Sequence, residues 1–521
     1  MNRRPLILVG AMAVGLILAG CTPSTPPEKT DTSQIVIDTS FDIKTIDPGR
    51  QYEPTGMIVD KALYDTLLTF ADGDTANVIP SLASYVPNDD LTEFILTMEE
   101  GRLFSDGTPV TAADAVFTLE RLAGMKGNPS FLLDGVTIEL VDEMTLKLST
   151  EDPNPALPAI LATPSAGILN SAVVIANGGT TGVDDGADAY LNANSAGSGP
   201  YMLVSMDLAT EVVFVKNPYY NGAQTPTYDK VILRNVDPAT QKMSIERGDS
   251  QVALGLSSDQ VESLSSSVKV KSVSSATLVF LLMNADPAVN ELTANPQCVK
   301  AVKEAIDYQS LLDLAGLGAA QATGVIPNGF LGALPAADQL KFDLEAAKAD
   351  ATACGMNDVS ITLSLPNDID PTGLNMTNLA QRLQQQLAAA GITVTLAPAP
   401  FATEIDAYRT GKEHIGLWYW NPDYQDPAGY LVFSPGQMVG LRANWQAGAN
   451  PVIEGLVPQA TTASDPVVRA GLLEDWGRAM IAEGPFIPLI QPGSNVAYQP
   501  TVTNIHYSPT WIINVAGLGA A

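Results

Sequence analysis

"DDLTEFILTMEEGRLFSDGTPVTAADAVFTLERLAG", residues 89–124, carries the most regular local signals in the chain. Apolar and polar side chains alternate from Glu93 to Met98, the period-two pattern of a strand with one buried face. Ser105-Asp106-Gly107 supplies turn chemistry, and a helix is predicted from Ala112 with Thr111 as its N-cap. Working outward, "VTIELVDEMTLKLST" (136–150) reads as a hairpin joined through Asp142-Glu143, and "QIVIDTS" (34–40) as a strand. Beyond them, "CVKAVKEAIDYQSLLDLAG" (298–316), "DLEAAKADATACG" (343–355) and "MTNLAQRLQQQLAAAGITVTLAP" (376–398) show helical spacing up to a glycine. The last runs directly into a strand. Strands and helices mixed without strict alternation predict α/β lobes.

At 521 residues the chain exceeds what one core holds, so two or three units are expected. Hydrophobic content of 46% with 16% charged residues describes a globular chain. Its 57 acidic residues outnumber 27 basic ones, for a net charge of −30. That balance excludes nucleic acid as a partner, because phosphates require clustered Lys and Arg.

The beginning of the chain reads as an export signal over residues 1–20: Arg3 and Arg4, then an apolar run from Leu6 to Leu18. This run is shorter than the ~20 residues of a membrane span. Leu18-Ala19-Gly20-Cys21 resembles the lipobox of bacterial lipoproteins, which implies that Cys21 is acylated and becomes the first mature residue. The Thr/Pro/Ser-rich residues 21–33 then form a tether, on the order of 20 Å long or more. The expected location is the extracytoplasmic face of the cell membrane, held by the lipid. No later segment is apolar for long enough to span a membrane.

Landmarks along the chain carry a second resemblance. They are "TIDP" (45–48), "ALYDTLL" (62–68), "GRLFSDGTPVTAADAVFTLERL" (101–122), "GSGPYMLV" (197–204) with "VKNPYYNG" (215–222), "AVKEAIDYQSLL" (301–312), "WNPDYQDP" (420–427) and "EGPFIPL" (483–489). In this order the chain resembles the family 5 extracellular solute-binding proteins of bacterial ABC transporters, the peptide and nickel type. The resemblance implies an α/β, two-lobed periplasmic-binding-protein-like fold of type II, with a hinge between lobes and an extra inserted subdomain. Lobe I is expected at 34–62, 193–283 and 485–521, the inserted subdomain at 63–192, and lobe II at 284–484. The crossings are expected near "LLMNADPAVNE" and "EGPFIP". The implied function is capture of a small ligand, an oligopeptide first, and its delivery by a monomer to the permease subunits of an ABC importer. No cofactor is implied.

"GLWYWNPDYQDPAGY" (416–430) places Trp418, Tyr419, Trp420, Tyr424 and Tyr430 around Asp423 and Asp426 in a chain that is 6% aromatic. A wall of rings with carboxylates suits an amine on an otherwise apolar ligand, through ion pairing and cation–π contact. The stretch also reads as a strand of core aromatics ending in a capped turn. In peptide-binding relatives the Asp three residues after the matching Trp receives the α-ammonium, which implies that role for Asp423. The resemblance likewise nominates Tyr52 and Glu53 from "DPGRQYEPTGM", and Phe280, Leu282 and Asn284 from "LVFLLMN". No basic carboxylate anchor is carried over: the matching position is Leu417, and Arg409 and Arg442 read as surface charges. A non-peptide amine or amide-like ligand therefore stays open.

Only two histidines, His414 and His506, are present and lie far apart, so no metal site is expected. With Cys21 lipidated, Cys298 and Cys354 form a possible disulfide in an exported chain. Enzyme signatures are missing: there is no Gly-x-Ser-x-Gly, His-Glu-x-x-His or Gly-x-x-x-x-Gly-Lys. Ser266-Ser267-Val268-Lys269 matches Ser-x-x-Lys without its companion triplets. The chain reads as a non-enzyme, with an exported hydrolase as the alternative from another class.

Overall fold

The computed structural model describes residues 33–521 other than Asp358. The export signal and Cys21 lie outside the described residues.

Two large sheets organise the described chain. The first has seven strands in the order Lys269–Ser274, Gly493–Tyr498, Val252–Ala253, Gln34–Thr39, Lys230–Asn235, Glu211–Lys216, Tyr201–Asp207. Gln34–Thr39 pairs in parallel with both of its neighbours, while the outer strands are antiparallel. The second sheet has six strands in the order Ala320–Gln321, Phe486–Gln491, Leu278–Met283, Ile415–Trp420, Ser360–Pro366, Thr393–Ala399. Each sheet packs on its own core: Ile35, Ile37, Phe214 and Leu233 belong to the first, and Val279, Leu281, Leu363 and Ile487 to the second. Two sheets with separate cores make two lobes.

Between the first strand and Tyr201 lies a four-stranded antiparallel sheet, Ala83–Pro87, Glu93–Met98, Thr145–Ser149, Thr137–Asp142. Glu93–Met98 alternates between exposed and buried residues at every step, as a half-buried strand must. Its buried side chains meet the helix Ala112–Gly124, whose Thr111 and Asp114 form a reciprocal capping box. The hairpin anticipated at 136–150 is present.

The lobes are joined where strands of the two sheets run on into each other. The chain leaves the first sheet at Ser274 and enters the second at Leu278; it leaves the second at Gln491 and re-enters the first at Gly493. Both crossings therefore lie outside the stretches expected from sequence. Leu278–Met283 and Phe486–Gln491 are buried along their whole length and pair with each other inside the second sheet. In the second of the expected stretches Gly484 caps the end of the helix Pro466–Glu483, and Pro485 precedes the strand Phe486–Gln491. Ser275 N donates to Pro492 O at 3.0 Å, and Gln491 Nε2 donates to Ser275 O at 2.7 Å, so the two crossings are bonded side by side. A Cβ at Gly493 would stand 2.0 Å from Leu317 O, so this crossing requires glycine.

In the second lobe, helices Pro296–Ala305 and Leu344–Cys354 pack together, and Cys298 and Cys354 are joined with their Cα atoms 5.6 Å apart.

Candidate ligand cleft

A cavity of about 1060 Å³ lies between the lobes. From the first lobe it takes Thr39–Ser40, Asp42, Tyr52 and Ser257–Gln260; from the second, Asp368–Asn375, Tyr408 and the end of the strand Ile415–Trp420. Parallel pairing in the middle of each sheet brings strand ends and their loops to one edge, where ligands bind in open α/β sheets.

Three of the five rings at 416–430, Trp418, Tyr419 and Trp420, line the cavity in layers, while Tyr430 is buried. Trp418 is almost fully buried and stacks on Tyr408 at 4.2 Å, with its Nε1 donating to Glu413 Oε2 at 2.8 Å. Burial pushes the Glu413 carboxyl up to about 8, against the opposing effect of the Trp418 hydrogen bond. Tyr419 and Trp420 are half-buried and also line the cavity. Trp420 packs edge-on against Phe433 at 5.5 Å.

Asp423 stands where this wall ends. Tyr52 Oη donates to Asp423 Oδ1, a bond from the first lobe to the second. No described residue donates a hydrogen bond to Oδ2. Burial raises the Asp423 carboxyl to about 6, against the opposing effects of the Tyr52 hydrogen bond and the Arg442 charge. Two anchors hold these groups in place. Arg121 pairs with Asp47 at 2.6 Å and Asp185 at 2.7 Å, tying the loop before Tyr52 to the inserted sheet's helix. Arg469 grips both oxygens of Asp426, at 2.7 and 2.6 Å, three residues after Asp423.

Of the residues nominated from sequence, Tyr52, Trp418, Tyr419, Trp420 and Asp423 line the cavity. Tyr424 does not; it packs against the core of the inserted sheet. Glu53 does not line the cavity either; it stands just before the helix Pro54–Leu63 without a side-chain capping bond and pairs with Lys44 at 2.8 Å. Phe280, Leu282 and Asn284 are corrected outright, since all three are 0% exposed. Their strand is the centre of the second sheet, so Phe280 and Leu282 enter the aromatic core beside Phe433 and Phe486, while Asn284 Nδ2 donates to Gly411 O and Glu413 O. Arg442 is also placed differently from its sequence reading: it lines the cavity. Among the described residues no group of three or more His, Cys, Asp or Glu side chains is arranged to hold a metal ion, and no helix is long and apolar enough to cross a membrane.

Similarity to known proteins agrees with this architecture. Residues 77–437 match the family described as "Bacterial extracellular solute-binding proteins, family 5 Middle". The chain is 29% identical over 488 residues to the Escherichia coli K12 protein named "Probable D,D-dipeptide-binding periplasmic protein DdpA", covering 91% of this chain and 92% of that relative. Among solved structures, the ABC transporter substrate-binding protein CtaP of Listeria monocytogenes superposes with a TM-score of 0.81 at 19% identity, over 94% of this chain and all of that one. The periplasmic binding protein DppA of Helicobacter pylori, in complex with the peptide STSA, gives 0.76 at 19% identity, over 94% of this chain and 98% of that one.

Proposed function

This chain belongs to the bacterial extracellular solute-binding proteins of family 5, and on that premise we propose that it captures short peptides between its lobes and delivers them to an ABC importer. The observation that carries this reading is Asp423: a carboxylate at the end of an aromatic wall, with one oxygen held by Tyr52 from the opposite lobe and the other free for a ligand. A peptide ammonium on Oδ2 would contact one lobe while Tyr52 closes from the other. Ligand and closed state then stabilise each other by their differential affinity. Similarity over nine-tenths of the chain to a relative whose name reads "Probable D,D-dipeptide-binding periplasmic protein" supports a peptide as the class of ligand.

A second reading, a non-peptide organic amine, draws on charge: five aspartates, at 42, 259, 368, 370 and 423, line the cavity against one arginine. Neither reading involves turnover, and we assign the chain no chemistry of its own. Calorimetry with L-alanyl-L-alanine and with N-acetyl-L-alanyl-L-alanine tests the proposal. One-to-one binding of the first, at micromolar affinity or tighter, with the acetylated form at least ~30-fold weaker and no hydrolysis by mass spectrometry, is the expected result. Equal binding of both would remove the ammonium from the site; product formation would make the chain a hydrolase.

The reading also places the folded body on the outer face of the membrane, held by lipid at Cys21, in the stretch of sequence that resembles a lipobox. Cys21→Ser should move the protein from the membrane fraction into the soluble extracytoplasmic fraction. Unchanged fractionation would rule out the anchor.

A further inference from the structure

Beside the loop that carries Tyr52, buried acceptors gather on one face of a helix. Asp60, in the helix Pro54–Leu63, is fully buried, and neither of its carboxylate oxygens has a hydrogen-bond partner among the described residues. Gln51 is fully buried too: its Nε2 donates to Glu53 O, which fixes the amide and leaves Oε1 without a partner among the described residues. The Gln51 side chain lies on Gly56, where a Cβ would stand 1.6 Å from its Nε2. Gly56 and Asp60 are one turn apart on the same helix face, so the amide and the carboxylate share it. Buried polar groups without partners are rare and call for one. The nearby basic side chains are already engaged: Arg121 and Arg50 pair with Asp47 and Asp185, and Lys44 with Glu53. With Asp60 these make four carboxylates against three cations, and the charge left over falls on a group shielded from solvent. Burial, with the charges of Asp47 and Glu53, raises the Asp60 carboxyl well above its ordinary value, so an ionised Asp60 requires a neutralising charge beside it. A proton would sit on one oxygen and reach one further acceptor; a cation among the three serves all of them.

We propose that a sodium or potassium ion binds between the Asp60 carboxylate and Gln51 Oε1, bracing the loop from which Tyr52 reaches Asp423. The named acceptors are all oxygens, the set taken by hard cations rather than by zinc or copper. A single unmatched charge selects a monovalent ion, since a divalent one would leave positive charge uncompensated in the same buried place. Neither Asp60 nor Gln51 lines the cleft, so the ion's site is separate from the ligand's and does not depend on which ligand the cleft takes.

The test follows thermal unfolding of the purified protein at pH 7 in sodium, potassium and N-methyl-D-glucamine chloride of equal ionic strength, after dialysis against the last. The organic cation screens surface charge as the alkali ions do, but it is too large for a buried site. The unfolding midpoint should stand higher by about 2 °C or more in one or both alkali salts, with a rise that saturates with concentration, and the salt giving the larger rise identifies the ion. Asp60→Asn, which removes the charge and keeps the shape, should abolish the difference between the salts. Equal midpoints in all three salts for the unmodified protein would overturn the assignment and leave a proton as what neutralises Asp60. An alkali-specific rise that survives in Asp60→Asn would overturn it as well, by placing the ion elsewhere. Should Asp60→Asn fail to fold, Gln51→Met takes one oxygen from the set and leaves the carboxylate. It should raise the alkali concentration needed for half the rise several-fold, and an unchanged concentration would overturn the site.

Discussion

Asp423→Asn should weaken the binding of a dipeptide with a free amino terminus by about 100-fold or more, with folding stability unchanged or slightly raised. A charge-assisted hydrogen bond inside a protein site contributes about 1.5–3 kcal/mol, and more when the partner ion is left buried alone. Stability moves little because burial has already raised this carboxyl to about 6, so its ionised form is a cost to the unliganded fold. The sign follows from linkage. A native pKa above the ordinary 3.8 means that the folded protein holds the proton more tightly than the unfolded chain. The resulting stabilisation is full below about pH 4 and is lost as the pH rises through about 6. Ligand binding has the opposite slope, because an ammonium pairs only with the ionised form. Affinity should therefore fall toward tenfold per pH unit below about 6, reach its plateau above it, and lose this dependence in Asp423→Asn. Calorimetry between pH 5 and 8 reads both effects; a flat profile in the unmodified protein would remove Asp423 from the ammonium's path.

Arg469→Ala should cost about 3–5 kcal/mol of stability, the largest loss expected of one substitution near the cleft. Arg469 and Asp426 are both more than nine-tenths buried and meet through two hydrogen bonds, so deletion of the guanidinium strands a carboxylate inside the protein. Asp426 also caps the 3-10 helix Pro427–Phe433, accepting from Ala428 N at 2.9 Å, so the loop carrying Asp423 loses its lower fixing point. Reduced dipeptide affinity should accompany the lower midpoint in chemical denaturation. Adding Asp426→Asn should recover part of the loss, because the residue left behind no longer carries charge. A cost below about 1 kcal/mol would mean that water or a rotated side chain replaces the pair.

Local structure was legible wherever one face of an element meets water. Glu93–Met98 and its capped helix stand where alternation and Thr111 put them, because polar residues on the wet face mark the register. The same periodicity is silent in "LVFLLM" at 278–283. A strand buried on both faces has no polar side, so nothing in it separates a ligand-facing edge from a core; position in the sheet decides, and neighbours on both sides make Phe280 and Leu282 core. The crossings, which the resemblance placed near 281–291 and 483–488, were not legible locally either, because glycine and proline serve as helix ends as readily as hinges.

Sequence alone determined the α/β class, the family and the concentration of rings and carboxylates at 416–430, all matters of residue order along one chain. Only tertiary structure decided which of those rings face a cavity, that Tyr52 meets Asp423 across the lobes, and that Arg442 joins them from a short helix at Met438–Arg442. These are contacts between segments remote in sequence. No period or spacing encodes them, because they arise only when separately packed cores bring their loops to a common edge.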